Sequence, residues 1–169
     1  MKMKRLTILL AAALLAGCQH SQVATPLVTN HAPDDLNAEM DFWHKLADEP
    51  LTSNDEALHA LTILANESDT AKTYAQRVQW MKDHGNLPSG WSGAPDDAVE
   101  RGTVASILTK IMKIDGGLSM WILGNNPRYS TRELVYLRLM PPSTPQQGIA
   151  GIDFVGMISK AEAYMEGHS

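Results

Sequence analysis

The sequence predicts an all-α body: about three helical hairpins packed into one compact domain, with little or no sheet. Three observations carry this. After residue 34, apolar residues recur at helical spacing in six stretches separated by turn formers. No stretch sustains the apolar–polar alternation of a half-buried strand. The 169 residues are 44% hydrophobic and 20% charged. That composition suits one globular domain and excludes a disordered chain, a collagen-like fibre and a coiled coil.

The first element is an address. Lys2, Lys4 and Arg5 precede an almost wholly apolar run over residues 6–15. The run is shorter than the roughly 20 residues of a transmembrane helix and fits the apolar region of a secretory signal. It ends in Leu15-Ala16-Gly17-Cys18, which resembles the bacterial lipobox at all four positions. The resemblance implies that the Cys18 thiol receives a diacylglyceryl group, that cleavage follows residue 17, and that the new amino group is acylated. Several acyl chains anchor firmly where one is marginal. A single Cys also excludes an internal disulfide and a zinc site of several thiolates. Gln19 follows Cys18, which in this family implies export to the periplasmic face of the outer membrane. Cleavage removes Lys2, Lys4 and Arg5 and no acid, so the formal charge of −5 becomes −8. That balance argues against nucleic acid as a partner.

Residues 18–33 hold two prolines, several small polar residues and no helical stripe, so a flexible tether is expected. It would span roughly 20 Å as a coil and about 50 Å when extended. The body, residues 34–169, begins with a helix over 35–48 whose stripe is Leu36, Met40, Trp43 and Ala47. A second helix starts at Ser53 or Asn54. Its apolar face carries Ala57, Leu61, Leu64 and Ala65, and its polar face His59, Thr62 and Asn66. The third, over 71–84, turns Tyr74, Val78 and Met81 inward and stops at Gly85. The fourth places Val104, Ile107, Leu108, Ile111 and Met112 on one stripe before Gly116-Gly117. After a short apolar turn over 118–123, a fifth helix runs from Ser130 or Thr131 to Leu139. A last one covers 152–165. The Gly/Pro loops over 85–97 and 141–148 read as ordered connectors.

The helices contain a repeat. Ala57-Leu58-His59-Ala60-Leu61, Val104-Ala105-Ser106-Ile107-Leu108 and Phe154-Val155-Gly156-Met157-Ile158 stand 47 and 50 residues apart. The helix before the loop recurs too, as Arg77-Val78-Gln79-Trp80-Met81 before Leu87-Pro88 and Glu133-Leu134-Val135-Tyr136-Leu137 before Met140-Pro141. Such units cannot bury their faces alone and need neighbours. Tyr74-Ala75-Gln76-Arg77-Val78, then Gly85-Asn86-Leu87-Pro88, then Pro95-Asp96-Asp97-Ala98-Val99-Glu100-Arg101-Gly102 resembles a bacterial S-layer homology repeat. The resemblance implies three units in a pseudo-threefold helical spindle that holds cell-wall polymer in grooves between units. In the family an Arg is prominent there; only Arg101 occupies that place here, with Asn54 and Gly151 near it in the other units. The chain is also similar to short envelope lipoproteins that share Gly116-Gly117-Leu118.

Little in the sequence suggests catalysis. His20, His31, His44, His59, His84 and His168 form no H-x-x-x-H or H-x-H pair, so they read as solvated or capping residues, and neither metal nor cofactor is expected. Asp96, Asp97 and Glu100 gather at a helix start, where the helix dipole favours carboxylates. Gly90-Trp91-Ser92-Gly93 is not a nucleophile elbow. The candidate ligand contacts are Trp80, about 200° around its helix from Val78, Trp91 in its Gly/Pro loop, and the cations Arg101 and Arg132. The expected function is a lipid-anchored, non-enzymatic envelope protein that contacts wall polymer or another envelope protein through inter-repeat grooves. A scaffold lipoprotein without glycan binding is the alternative, and an enzyme acting on envelope glycan the third.

Overall fold

The computed structural model of the chain describes residues 21–88, 90–116 and 124–168. The leader, Cys18 and the apolar turn over 118–123 lie outside them. Among the described residues the protein is all-α, without a strand. Six helices follow one another: α1 (Leu36–Asp48), α2 (Asn54–Asn66), α3 (Tyr74–Asp83), α4 (Arg101–Ile111), α5 (Pro127–Tyr136) and α6 (Gly151–Glu166).

Local chemistry sets the helix starts. The Asp35 side chain accepts the Ala38 amide, and Thr73 accepts that of Gln76. Ser53 and Glu56 form a reciprocal capping box. Asn126 caps α5 and Pro127 takes its first position, so α5 starts earlier than the apolar pattern alone suggested.

The order helix, Pro-bearing loop, helix recurs three times, but the closest packing joins neighbouring units. α2 lies against α3, α4 against α5, and α6 returns to α1. α2 also packs on α4 and α6, which makes it the central helix. It is buried nearly all round, at Ala57, Leu58, His59, Ala60, Leu61, Thr62 and Leu64. The expectation of a polar outer face bearing His59 and Thr62 is therefore corrected. Thr62 survives there by donating its hydroxyl to the Leu58 carbonyl at 2.7 Å.

The segments that lead into α2, α4 and α6 meet at one end. Thr52 N–H donates to the Ile149 carbonyl at 2.8 Å, Val99 N–H to Thr52 at 2.9 Å, and Arg101 N–H to Gln147 at 2.9 Å. Each loop thus satisfies backbone groups of the other two, as burial requires. Gly151 closes the ring: its N–H donates to the Glu49 carbonyl at 2.9 Å. A Cβ on Gly151 would stand 1.6 Å from the Leu46 carbonyl oxygen, so only glycine admits this approach of α6 to α1.

Two further expectations are corrected. The inward stripe of α1 is Phe42 and Leu46, with Trp43 half-buried, whereas Leu36 and Met40 are exposed. The face is rotated because Glu39, three residues before Phe42, points into the protein. The expected tether is docked from residue 21 onward. Ala98 N–H donates to the Ser21 carbonyl at 2.7 Å and Val23 N–H to Asp96 at 2.8 Å, while Val23 and Thr29 are buried. Leu27 N–H donates to Oε1 of the buried Glu56 at 2.7 Å. Glu56 is already a capping carboxylate, and its second oxygen fixes the arm.

Replacing Gly151 with Ala should destabilise the protein by about 3 kcal/mol or more, since backbone must move to admit a methyl group. Gly156, on the exposed face of the same helix with open space around it, should gain up to about 1 kcal/mol on replacement by Ala. Urea denaturation of both variants measures the contrast.

Candidate functional site

Two places combine shape with unusual chemistry. The first is an open cleft of about 550 Å³ lined by Asn54, Trp91, Gly93, Asp97, Glu100 and Thr103, among others. It lies where the start of α2, the loop before α4 and the start of α4 meet. Trp91 is held in place. Its Nε1–H donates to the Tyr74 hydroxyl at 3.1 Å, and that hydroxyl donates to the Gly93 carbonyl at 2.8 Å. Lys82 Nζ donates to the Trp91 carbonyl at 3.2 Å. A Cβ on Gly93 would meet the indole at 2.5 Å, so the glycine lets the ring lie against the loop backbone. Burial raises the Tyr74 pKa above its ordinary 10.0. The bond from Trp91 opposes this, and the charges of Asp55 and Asp97 add to it. The phenol therefore stays protonated as a donor. On the other side of Trp91, a more apolar depression of about 280 Å³ runs past Leu87 and Ile107.

The second place is a buried polar chain. Arg77 is fully buried on α3. Its Nη1 donates to Asp55, its Nε to Asp69, and its Nη2 to the Thr29 carbonyl at 3.1 Å. Asp69 also receives His59 Nδ1 at 2.7 Å and the Ala71 amide at 2.9 Å. Burial pushes the Asp69 carboxyl up, but the bonds from His59, Ala71 and Arg77 and the Arg77 charge hold it below the ordinary 3.8. It is thus a carboxylate acceptor, and His59 donates through Nδ1. The opposite nitrogen, His59 Nε2, faces Glu39 Oε2 at 3.5 Å. His31 Nε2, on the arm, lies 3.5 Å from the same oxygen. The His31 and His59 rings meet edge to face with centroids 5.1 Å apart, and Phe42 packs edge-on against His59 at 4.7 Å.

The four proposed contact residues do not share one groove. Trp91 lines the main cleft. Trp80 stacks on His84 with centroids 4.0 Å apart and borders a separate depression with Thr62, Asn66 and Asp69. Arg101 is buried beside the cleft and donates through Nη2 to Asp153 at 2.7 Å, joining the starts of α4 and α6. Arg132 is exposed on α5 and lines neither depression. The histidines also divide. His84 and His168 bond helix carbonyls through Nδ1, as capping residues do, whereas His31 and His59 converge with Glu39 in space. Sequence reading missed Arg77. Its signal was a cation three residues after Tyr74 and four before Met81, on the inward stripe.

Comparison with protein-family models, curated proteins and solved structures finds no match to this chain.

Replacing Arg77 with Met should cost about 3–5 kcal/mol, because Asp55 and Asp69 lose their shared cation while Asp69 stays buried. Urea denaturation measures the loss. Faster proteolysis within residues 21–33 should accompany it, since Thr29 is freed.

Proposed function

We propose that the chain is an exported lipoprotein, held by acylated Cys18 on the periplasmic face of the outer membrane. Its non-catalytic body would engage wall polymer or another envelope protein through the Trp91 cleft. The lipobox residues 15–18 and the cationic and apolar segments before them support the anchor. Among the described residues no helix is long and apolar enough to cross a membrane. The resemblance of residues 74–102 to an S-layer homology repeat supports contact through a groove between helix–loop–helix segments.

The observation that carries the binding reading is the rigid indole of Trp91 on an open cleft between units. An aromatic face beside an amide and carboxylates (Asn54, Asp97 and Glu100) suits the apolar faces and hydroxyl groups of a saccharide. The carboxylates and the mature charge of −8 favour an uncharged glycan over an anionic polymer. Arg101, buried and paired with Asp153, takes no part in this reading. The scaffold alternative draws support from Tyr136 and Ile152, large apolar side chains that are 81% and 64% exposed.

Co-sedimentation with purified cell wall tests the binding. The parent chain should be retained, Trp91→Ala should lose at least about tenfold in affinity, and Arg132→Ala should bind like the parent. A parent that is not retained favours the scaffold. For the anchor, Cys18→Ser should leave the membrane fraction or accumulate unprocessed. A variant processed and membrane-bound like the parent would refute lipidation.

A further inference from the structure

We propose that His31, Glu39 and His59 bind one divalent transition ion of the zinc class, and that this ion clips the amino-terminal arm to the helical body. The three donors come from three separate elements: the arm, α1 and α2. Their ligating atoms all lie within 4.8 Å of one another.

The polar pattern suits a cation. His59 is 1% exposed. Its Nδ1–H is donated to Asp69, and its Nε2 faces the Glu39 carboxylate at 3.5 Å, either as the lone pair of a neutral ring or as the second N–H of an imidazolium. Neither His59 Nε2, nor Glu39 Oε1, nor either nitrogen of His31 has a hydrogen-bond partner, although all four atoms are buried. Buried polar atoms without partners are rare and ask for an explanation. Two electron-rich atoms do not face each other across a buried gap unless a proton or a metal lies between them.

Distance favours the metal. A charge-assisted N–H···O bond is about 2.7–2.9 Å long. Both His–Glu separations are 3.5 Å, too long for such a bond. Ligands about 2.0–2.2 Å from a tetrahedral ion stand roughly 3.3–3.6 Å apart. Both separations match that edge, and the His31 and His59 donor nitrogens lie within 4.8 Å of each other.

The donor set selects the ion. Calcium and magnesium require six or more oxygens, whereas two imidazoles and one carboxylate suit zinc and its neighbours. The Asp69–His59 bond is the outer-shell carboxylate that fixes the ring and raises its basicity at such sites. Arg77 in turn holds Asp69. The Glu39 side chain is 25% exposed and that of His31 11%. On that side lies a depression of about 420 Å³ bounded by His31, Ala38 and Phe42. It gives the ion a way in and leaves a water the fourth position.

The test uses the untagged full chain with Cys18→Ser, which removes the single thiol. Titration with zinc should show one ion per chain and raise the thermal midpoint, and cobalt(II) should give the intense visible absorption of a tetrahedral site. His31→Ala and Glu39→Gln should each weaken zinc binding at least about tenfold without changing helix content by circular dichroism. Zinc should slow proteolysis within residues 21–33 of the parent but not of His31→Ala. A parent that takes up no stoichiometric zinc, or a His31→Ala/Glu39→Gln double variant that binds as tightly, overturns the proposal. Neither readout involves wall polymer, so failure here and failure of the cleft reading are separate results.

Discussion

A guanidinium with no exposed surface cannot exist without compensating charge, and the arrangement around Arg77 follows from that need. Asp55 at the start of α2 and Asp69 beyond its end both turn toward it, and the arm supplies the Thr29 carbonyl. One buried cation thereby joins the start of the central helix to the segment that follows it, and draws an otherwise featureless arm onto the body. The consequence reaches further through Asp69. A carboxylate fixed by Arg77 fixes the ring orientation of His59, and so aims its second nitrogen at Glu39. Stability and the His31–Glu39–His59 constellation share a single electrostatic cause.

The all-α class and six helices were legible because periodicity and capping agree. The cap at Ser53, the stop at Gly85 and the stripe of α4 all point the same way locally and globally. What failed was phase and partnership. In α1 the reading placed Leu36 and Met40 inward because it assumed that an inward face is apolar, whereas Glu39 occupies that face for a polar purpose. For α2, a helix enclosed by α3, α4 and α6 is exposed only at its last residues, Ala65 and Asn66, so His59 and Thr62 are buried. The tether was misread for a related reason. Its small polar residues form no stripe, yet their backbone amides and carbonyls pair with Glu56, Asp96 and Ala98, and composition does not record such pairing.

The candidate sites divide along the same line. Trp91 stood out because a large aromatic in a Gly/Pro loop needs a reason to be there, and its cleft supplies one. Arg101 was singled out by its place in a motif, but position within a motif carries no information about burial. His31, Glu39 and His59 were invisible as a group because their separations of 8 and 20 residues match no single helical face or loop. Only the folding of the arm against α1 and α2 brings them together.

The return of α6 to α1 through Gly151 distinguishes this body from an open solenoid. A solenoid adds or loses modules at its ends and shields those ends with polar caps. Here the start of α6 meets the end of α1, backbone against backbone. A fourth module inserted by duplication would break the seam rather than lengthen a stack. The contact of α6 with α1 therefore ties the helix order to the closure, and added length is better accommodated in the loops or the arm than at the seam.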